Sequence, residues 1–147
     1  MIIAVDLDGC LATYAGWKGH EDIGDPLPGA LDAMYALHAD GHQLFIFTCR
    51  CCDVPLIGAN GAGAPYDLPN PSTLPGAAEA IKAWLQRHRF PPMQVWTDPG
   101  KPFADIYIDD RAMRVAPQEN EQHWPRAVAA IRWFERNAAP PPQDGGE

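Results

Sequence analysis

The chain begins with "IIAVDLDGC", residues 2–10. Four apolar residues run without alternation into two aspartates one residue apart, and then into a glycine and a cysteine. An unbroken apolar run bounded by a turn signal reads as a strand buried on both faces, the kind that parallel sheets contain. Residues i and i+2 of an extended chain point the same way, so Asp6 and Asp8 should face one space just past the strand. Open parallel sheets bind ligands beyond the carboxyl ends of their strands. Crowded carboxylates resist ionising together, and a hard divalent cation relieves that conflict. Taken alone, Asp-x-Asp-Gly is also an ordinary turn or helix cap.

The rest of the chain repeats the strand-then-helix rhythm. "PLPGALDAMYALHADG" (26–41) reads as a helix, with Pro28 in its first turn, Ala30, Leu31, Met34 and Leu37 on one face, and Gly41 as its stop. "HQLFIFTC" (42–49) is a second buried strand ending near Thr48. "PGAAEAIKAWLQRHRF" (75–90) is a second helix, with Ala77, Ala80, Ile81, Trp84 and Leu85 inward. "MQVWT" (93–97) and "ADIYID" (104–109) are further strands, and the second of these ends in the acids Asp109 and Asp110. Residues 113–116 suggest a short fifth strand. "WPRAVAAIRWFERN" (124–137) is a last amphipathic helix with Trp124, Val128, Ile131 and Phe134 or Ala127 inward. The alternation predicts an α/β fold, with a central parallel sheet and helices on both faces. One domain should span residues 1–137, and the Pro- and Gly-rich residues 138–147 should form a disordered tail. Residues 9–27, carrying Gly9, Gly16, Gly19 and Gly24, read as a loop or flap. The long Gly- and Pro-rich stretch 51–74 reads as a lid or as a passive insertion.

Composition narrows the function. The chain has 147 residues, 46% of them hydrophobic, enough for one ordinary core. Lys plus Arg is 11 and Asp plus Glu is 19, a formal net charge of −8, which argues against long nucleic acid or an anionic membrane surface as partner. No apolar run reaches the length of a membrane span, and Met1 leads into a strand without the basic stretch that opens a signal peptide. Cys10, Cys49, Cys51 and Cys52 are too crowded for a disulfide framework or a zinc site, so reduced thiols in a cytoplasmic setting are expected.

Three strand ends therefore carry polar side chains: Asp6 and Asp8, Thr48, and Asp109 with Asp110. With Lys101 in "DPGKPFAD", they make a set of acids, a hydroxyl and an ammonium suited to a phosphoryl group and a cation. In this order the chain resembles the haloacid dehalogenase (HAD) superfamily, and especially its small phosphatase-like members. The first family motif matches "IIAVDLDG", the second "LFIFTCR", the third Lys101, and the fourth "IYIDDR". The resemblance implies a three-layer, Rossmann-like domain without a separate cap. It implies a Mg²⁺-dependent phosphomonoester hydrolase acting on a small phosphorylated substrate. Asp6 would be the nucleophile and Asp8 the general acid and then base. Thr48 would hydrogen-bond the phosphoryl oxygens, and Lys101 would pair with the nucleophile and the phosphoryl charge. Mg²⁺ would be bound by Asp6, the Asp8 backbone carbonyl and Asp109, with Asp110 contributing directly or through water. Arg50, two residues past Thr48, is a further candidate for phosphate, with a surface salt bridge as the alternative. Trp17, Lys18 and His20 are candidates for contact with a leaving group. The sequence departs from the family at Cys10, where Thr or Ser is usual. A nucleotidase, a polynucleotide-end phosphatase or a non-catalytic HAD-like binding module are the other readings, and a roof made only of loops leaves room for a homo-oligomer.

Overall fold

The computed structural model describes residues 1–51, 74–112, 114 and 123–137. Most of the 51–74 loop, Cys52, nearly all of the proposed 113–116 strand and the 138–147 tail lie outside the described residues. The chain divides into two compact units, Met1–Asp110 and Arg111–Glu147, where the sequence suggests one domain over 1–137.

The first unit contains β1 (Ile2–Val5), α1 (Ala30–Ala39), β2 (Gln43–Ile46), α2 (Leu74–Arg87), β3 (Gln94–Val95) and β4 (Ile106–Ile108). The strands form one sheet in the order β3-β2-β1-β4, and every pairing is parallel. This is the expected α/β, Rossmann-like arrangement. After β1 the chain moves to β2 and β3 on one side, then returns to place β4 on the other. Strand order therefore reverses beside β1, the position where such sheets form their binding crevice.

β1 alternates in space although its sequence does not. Ile3 and Val5 join Leu44 and Ile46 of β2 in a cluster with Ala30 and Met34 of α1 and Ala77, Ile81 and Trp84 of α2. Both helices of this unit thus cover one face of the sheet, where the sequence suggests helices on both faces. Each of these large side chains contributes roughly 1.5–3 kcal/mol by leaving water. Trp84 is 1% exposed, stacks on Phe90 with ring centroids 5.1 Å apart, and donates its indole N–H to the Gly24 carbonyl at 2.8 Å. The other face carries the ring pairs Phe45–Trp96 and Phe47–Tyr107, each with centroids 6.1 Å apart.

The ladder runs one step past the strand ends. The Phe47 N–H donates to the Val5 carbonyl at 2.9 Å, the Asp6 N–H to the Ile108 carbonyl at 2.9 Å, and the Trp96 N–H to the Ile46 carbonyl at 2.8 Å. The carboxyl ends of β1, β2 and β4 are thereby held level, and the polar residues that follow them emerge at one edge.

The second unit contains α3 (His123–Asn137). Trp124, Val128 and Ile131, expected to face inward, are exposed, as is Trp133. Amphipathic spacing identifies an apolar stripe but not what covers it. Among the described residues no helix is long and apolar enough to cross a membrane.

Candidate active site

Asp6 follows β1 directly, and Asp109 and Asp110 follow β4. Since β1 and β4 are neighbours in register, with Val5 opposite Ile108, the three acids meet. Each offers a carboxylate oxygen, and these oxygens all lie within 4.8 Å of one another. Asp109 and Asp110 are exposed, whereas Asp6 is partly buried. Burial pushes the Asp6 carboxyl up to about 6, and the negative charges of Asp109 and Asp8 add to the effect. The Leu7 backbone N–H and the Thr48 hydroxyl donate to the carboxylate and act the other way. Thr48 is itself buried. Its hydroxyl sits at the entry of a single 3₁₀ turn, Cys49–Cys51, and lies 3.4 Å from the Arg50 N–H. The acids and hydroxyl expected from three separate strand ends are thus assembled at one place.

The Asp8 side chain takes a different partner. The chain turns sharply after Leu7, whose carbonyl accepts the N–H groups of Leu11 at 2.9 Å and Ala12 at 2.8 Å. Residues 11–13 then run antiparallel to 25–27, with the Thr13 N–H on the Asp25 carbonyl and the Leu27 N–H on the Leu11 carbonyl, both at 2.8 Å. This pairing forms the base of the flap. Asp8 is clamped bidentately by Arg50, with Nε 2.6 Å from Oδ2 and Nη2 2.8 Å from Oδ1. Arg50 also donates to the carbonyls of Gly19 and His20 at 3.1 Å each and of Asp22 at 2.8 Å. A guanidinium has five N–H donors, and all five are used. Arg50 is also buried. Where the sequence suggests phosphate or a surface salt bridge for Arg50, its N–H groups are here engaged with Asp8 and the flap carbonyls, and the ion pair is a buried one.

Lys101, expected on the nucleophile, has its ammonium 4.0 Å from the centroid of the Tyr107 ring, a cation–π contact on β4. Cys10 gains an explanation. Its thiol donates to the Ile108 carbonyl at 3.6 Å and packs against the core, tying the turn after β1 to the end of β4. Burial, followed by the charges of Asp6, Asp110 and Asp109, pushes this thiol up to about 11. Cys10, Cys49 and Cys51 are thiols, and among the described residues no cysteine joins a metal-ligating group. In the flap, Trp17 lies against Arg50, 4.9 Å from ring centroid to Cζ. The groups that sequence reasoning missed are backbone ones: the Leu7 N–H on Asp6 and the flap carbonyls on Arg50. Side-chain identity carries no sign of them. The one available signal was an arginine just past a buried strand in an otherwise nearly uncharged stretch.

No family model matches the chain, and no curated protein does. Among solved structures the chain is similar to a conserved protein from Bacteroides thetaiotaomicron, with 19% identity over 95% of this chain and 98% of that one and a TM-score of 0.42.

Proposed function

We propose that the protein is a Mg²⁺-dependent phosphomonoester hydrolase of the HAD type, cytoplasmic, and acting on a small phosphorylated substrate through an aspartyl-phosphate. The observation that carries this reading is the convergence of Asp6, Asp109 and Asp110, with the Thr48 hydroxyl on Asp6, at the carboxyl edge of the sheet. The donor set fits Mg²⁺, a hard cation that takes a few carboxylate oxygens and leaves room for water and phosphate. Asp6, Asp109 and Asp110 would hold it with the Asp8 backbone carbonyl, and when bound it would neutralise the crowded carboxylates and the phosphoryl charge.

An Asp6 carboxyl titrating near 6 is mostly ionised at neutral pH and able to attack. One of its oxygens would form the bond to phosphorus as the bond to the leaving oxygen breaks. Asp8, once protonated, would supply the proton to that oxygen. The resulting carboxylate would then take a proton from the water that attacks the aspartyl-phosphate, releasing phosphate and restoring Asp6. Phosphate release from p-nitrophenyl phosphate with Mg²⁺ and with EDTA tests the class. Metal-dependent turnover is expected, and Asp6→Asn should abolish it with the circular dichroism unchanged. Retention of more than about a tenth of the rate, a loss of only about 1.4 kcal/mol of barrier stabilisation, would overturn the covalent route. Absence of phosphate release from a broad panel of phosphomonoesters would overturn the enzymatic reading.

A further inference from the structure

The flap has little internal order of its own. Between its paired base residues the chain makes only bends and turns, with Gly16 and Gly19 at φ 97° and 119°. Three of its carbonyls, from Gly19, His20 and Asp22, converge on the guanidinium of Arg50. The Trp17 ring covers that same group. The remaining N–H donors of Arg50 hold both oxygens of Asp8. The Arg50 side chain is 2% exposed and that of Asp8 is 17% exposed. One buried cation is therefore shared by the flap and by the residue two positions beyond the nucleophile.

We propose that Arg50 is a positioning residue that locks the flap (17–22) and the Asp8 carboxylate into a single unit, so that the flap is ordered only while Asp8 is held. The geometry requires a planar fork. A lysine ammonium has three donors on a point charge and cannot span a carboxylate and three carbonyls at once. A carboxamide at position 8 keeps the shape of Asp8 but replaces one acceptor oxygen with a donor NH₂ facing an N–H. Either change should release the flap. The catalytic consequence rests on the phosphohydrolase reading. A misplaced Asp8 should harm substrates whose leaving oxygen needs a proton more than those whose leaving group departs unaided.

The flap arm is independent of any activity. Lys18 is exposed, so trypsin cleavage after it, followed by mass spectrometry of fragment 1–18, reports flap opening. Arg50→Lys and Asp8→Asn are each expected to raise the initial cleavage rate at Lys18 at least tenfold over the wild type. If Arg50→Lys does not fold, the near-isosteric Asp8→Asn decides this arm. An unchanged rate in the folded variants would overturn the lock. In the activity arm, kcat/KM of Arg50→Lys is compared for phenyl phosphate and p-nitrophenyl phosphate. The loss should be at least tenfold larger for phenyl phosphate and should lie in kcat. Equal losses for both substrates would overturn the positioning of Asp8. A wild type that hydrolyses neither would count against the phosphohydrolase reading, and Lys18 cleavage would still decide the lock.

Discussion

Gly9 shows how one residue can serve two strands. Its φ is +82°, in the left-handed region that side chains avoid, and a Cβ built there would lie 2.6 Å from Asp110 Oδ2. The glycine of Asp-x-Asp-Gly is therefore needed both for the turn after β1 and for the space occupied by an acid from the end of β4. Gly9→Ala should cost about 1–2 kcal/mol from backbone strain alone, and the added methyl should also displace the Asp110 carboxylate. Thermal melting should fall by several degrees, and Mg²⁺ affinity by titration calorimetry should drop about tenfold. A lowered melting temperature with unchanged affinity would show that Asp110 does not contribute to the cation. At this scale the sequence was informative about side chains placed at strand ends, as for Asp6, Thr48, Asp109 and Asp110. It was silent about backbone atoms. Arg50 stands out in the sequence because it follows Thr48 so closely, but it contacts three carbonyls about thirty positions away, which no residue type announces.

The helix ends follow the same rule. α1 ends in a Schellman motif: the Gly41 N–H donates to the His38 carbonyl at 3.0 Å, the His42 N–H to the Leu37 carbonyl at 3.1 Å, and Gly41 has φ 81°. The sequence announced this stop. α2 ends in the same way, with Arg89 donating to the Gln86 carbonyl at 3.1 Å and Phe90 to the Leu85 carbonyl at 2.9 Å, but the left-handed position is held by Arg89 at φ 59°. Phe90, buried against Trp84, supplies the apolar contact that such caps favour and offsets the strain. The Tyr35 hydroxyl donates to the Arg89 carbonyl at 2.8 Å, so the cap also faces α1. Arg89→Gly should relieve the strain and lose part of that gain to the freer unfolded chain, for a net stabilisation of about 0.5–1 kcal/mol. Urea denaturation should show a raised midpoint with an unchanged m-value. A lowered midpoint would mean that the arginine side chain makes a contribution larger than the strain. The strands themselves were legible as apolar runs, although they are shorter than those runs. The order β3-β2-β1-β4 was not legible, because a local pattern shows that a residue is buried and not which strand lies beside it.

At the scale of the whole molecule, an acidic chain concentrates three of its carboxylates at one edge of its sheet. That crowding links the site to the stability of the fold. Asp6 titrates near 6 in the folded protein, above the ordinary 3.8, chiefly because it is buried. Between those two values the folded protein holds a proton that the unfolded chain has released. The free energy of unfolding must therefore fall as pH rises through about 6, as far as this group is concerned. In metal-free protein, Asp6→Asn mimics the neutral form at every pH. The variant should melt above the wild type at pH 7.5, and the gap should narrow as pH falls through about 6 and close only below 3.8, where the unfolded chain is protonated as well. Saturating Mg²⁺ should reverse the order at pH 7.5, because a cation bound to the ionised cluster stabilises the wild type by mass action and the amide is a poorer ligand. Other groups titrate over the same range, so the measured quantity is the difference between the two proteins, each melted in EDTA and in Mg²⁺. A gap that does not change with pH would show that Asp6 carries no raised pKa. A gap that closes in acid but ignores Mg²⁺ would keep the buried carboxyl and remove the cation from the site.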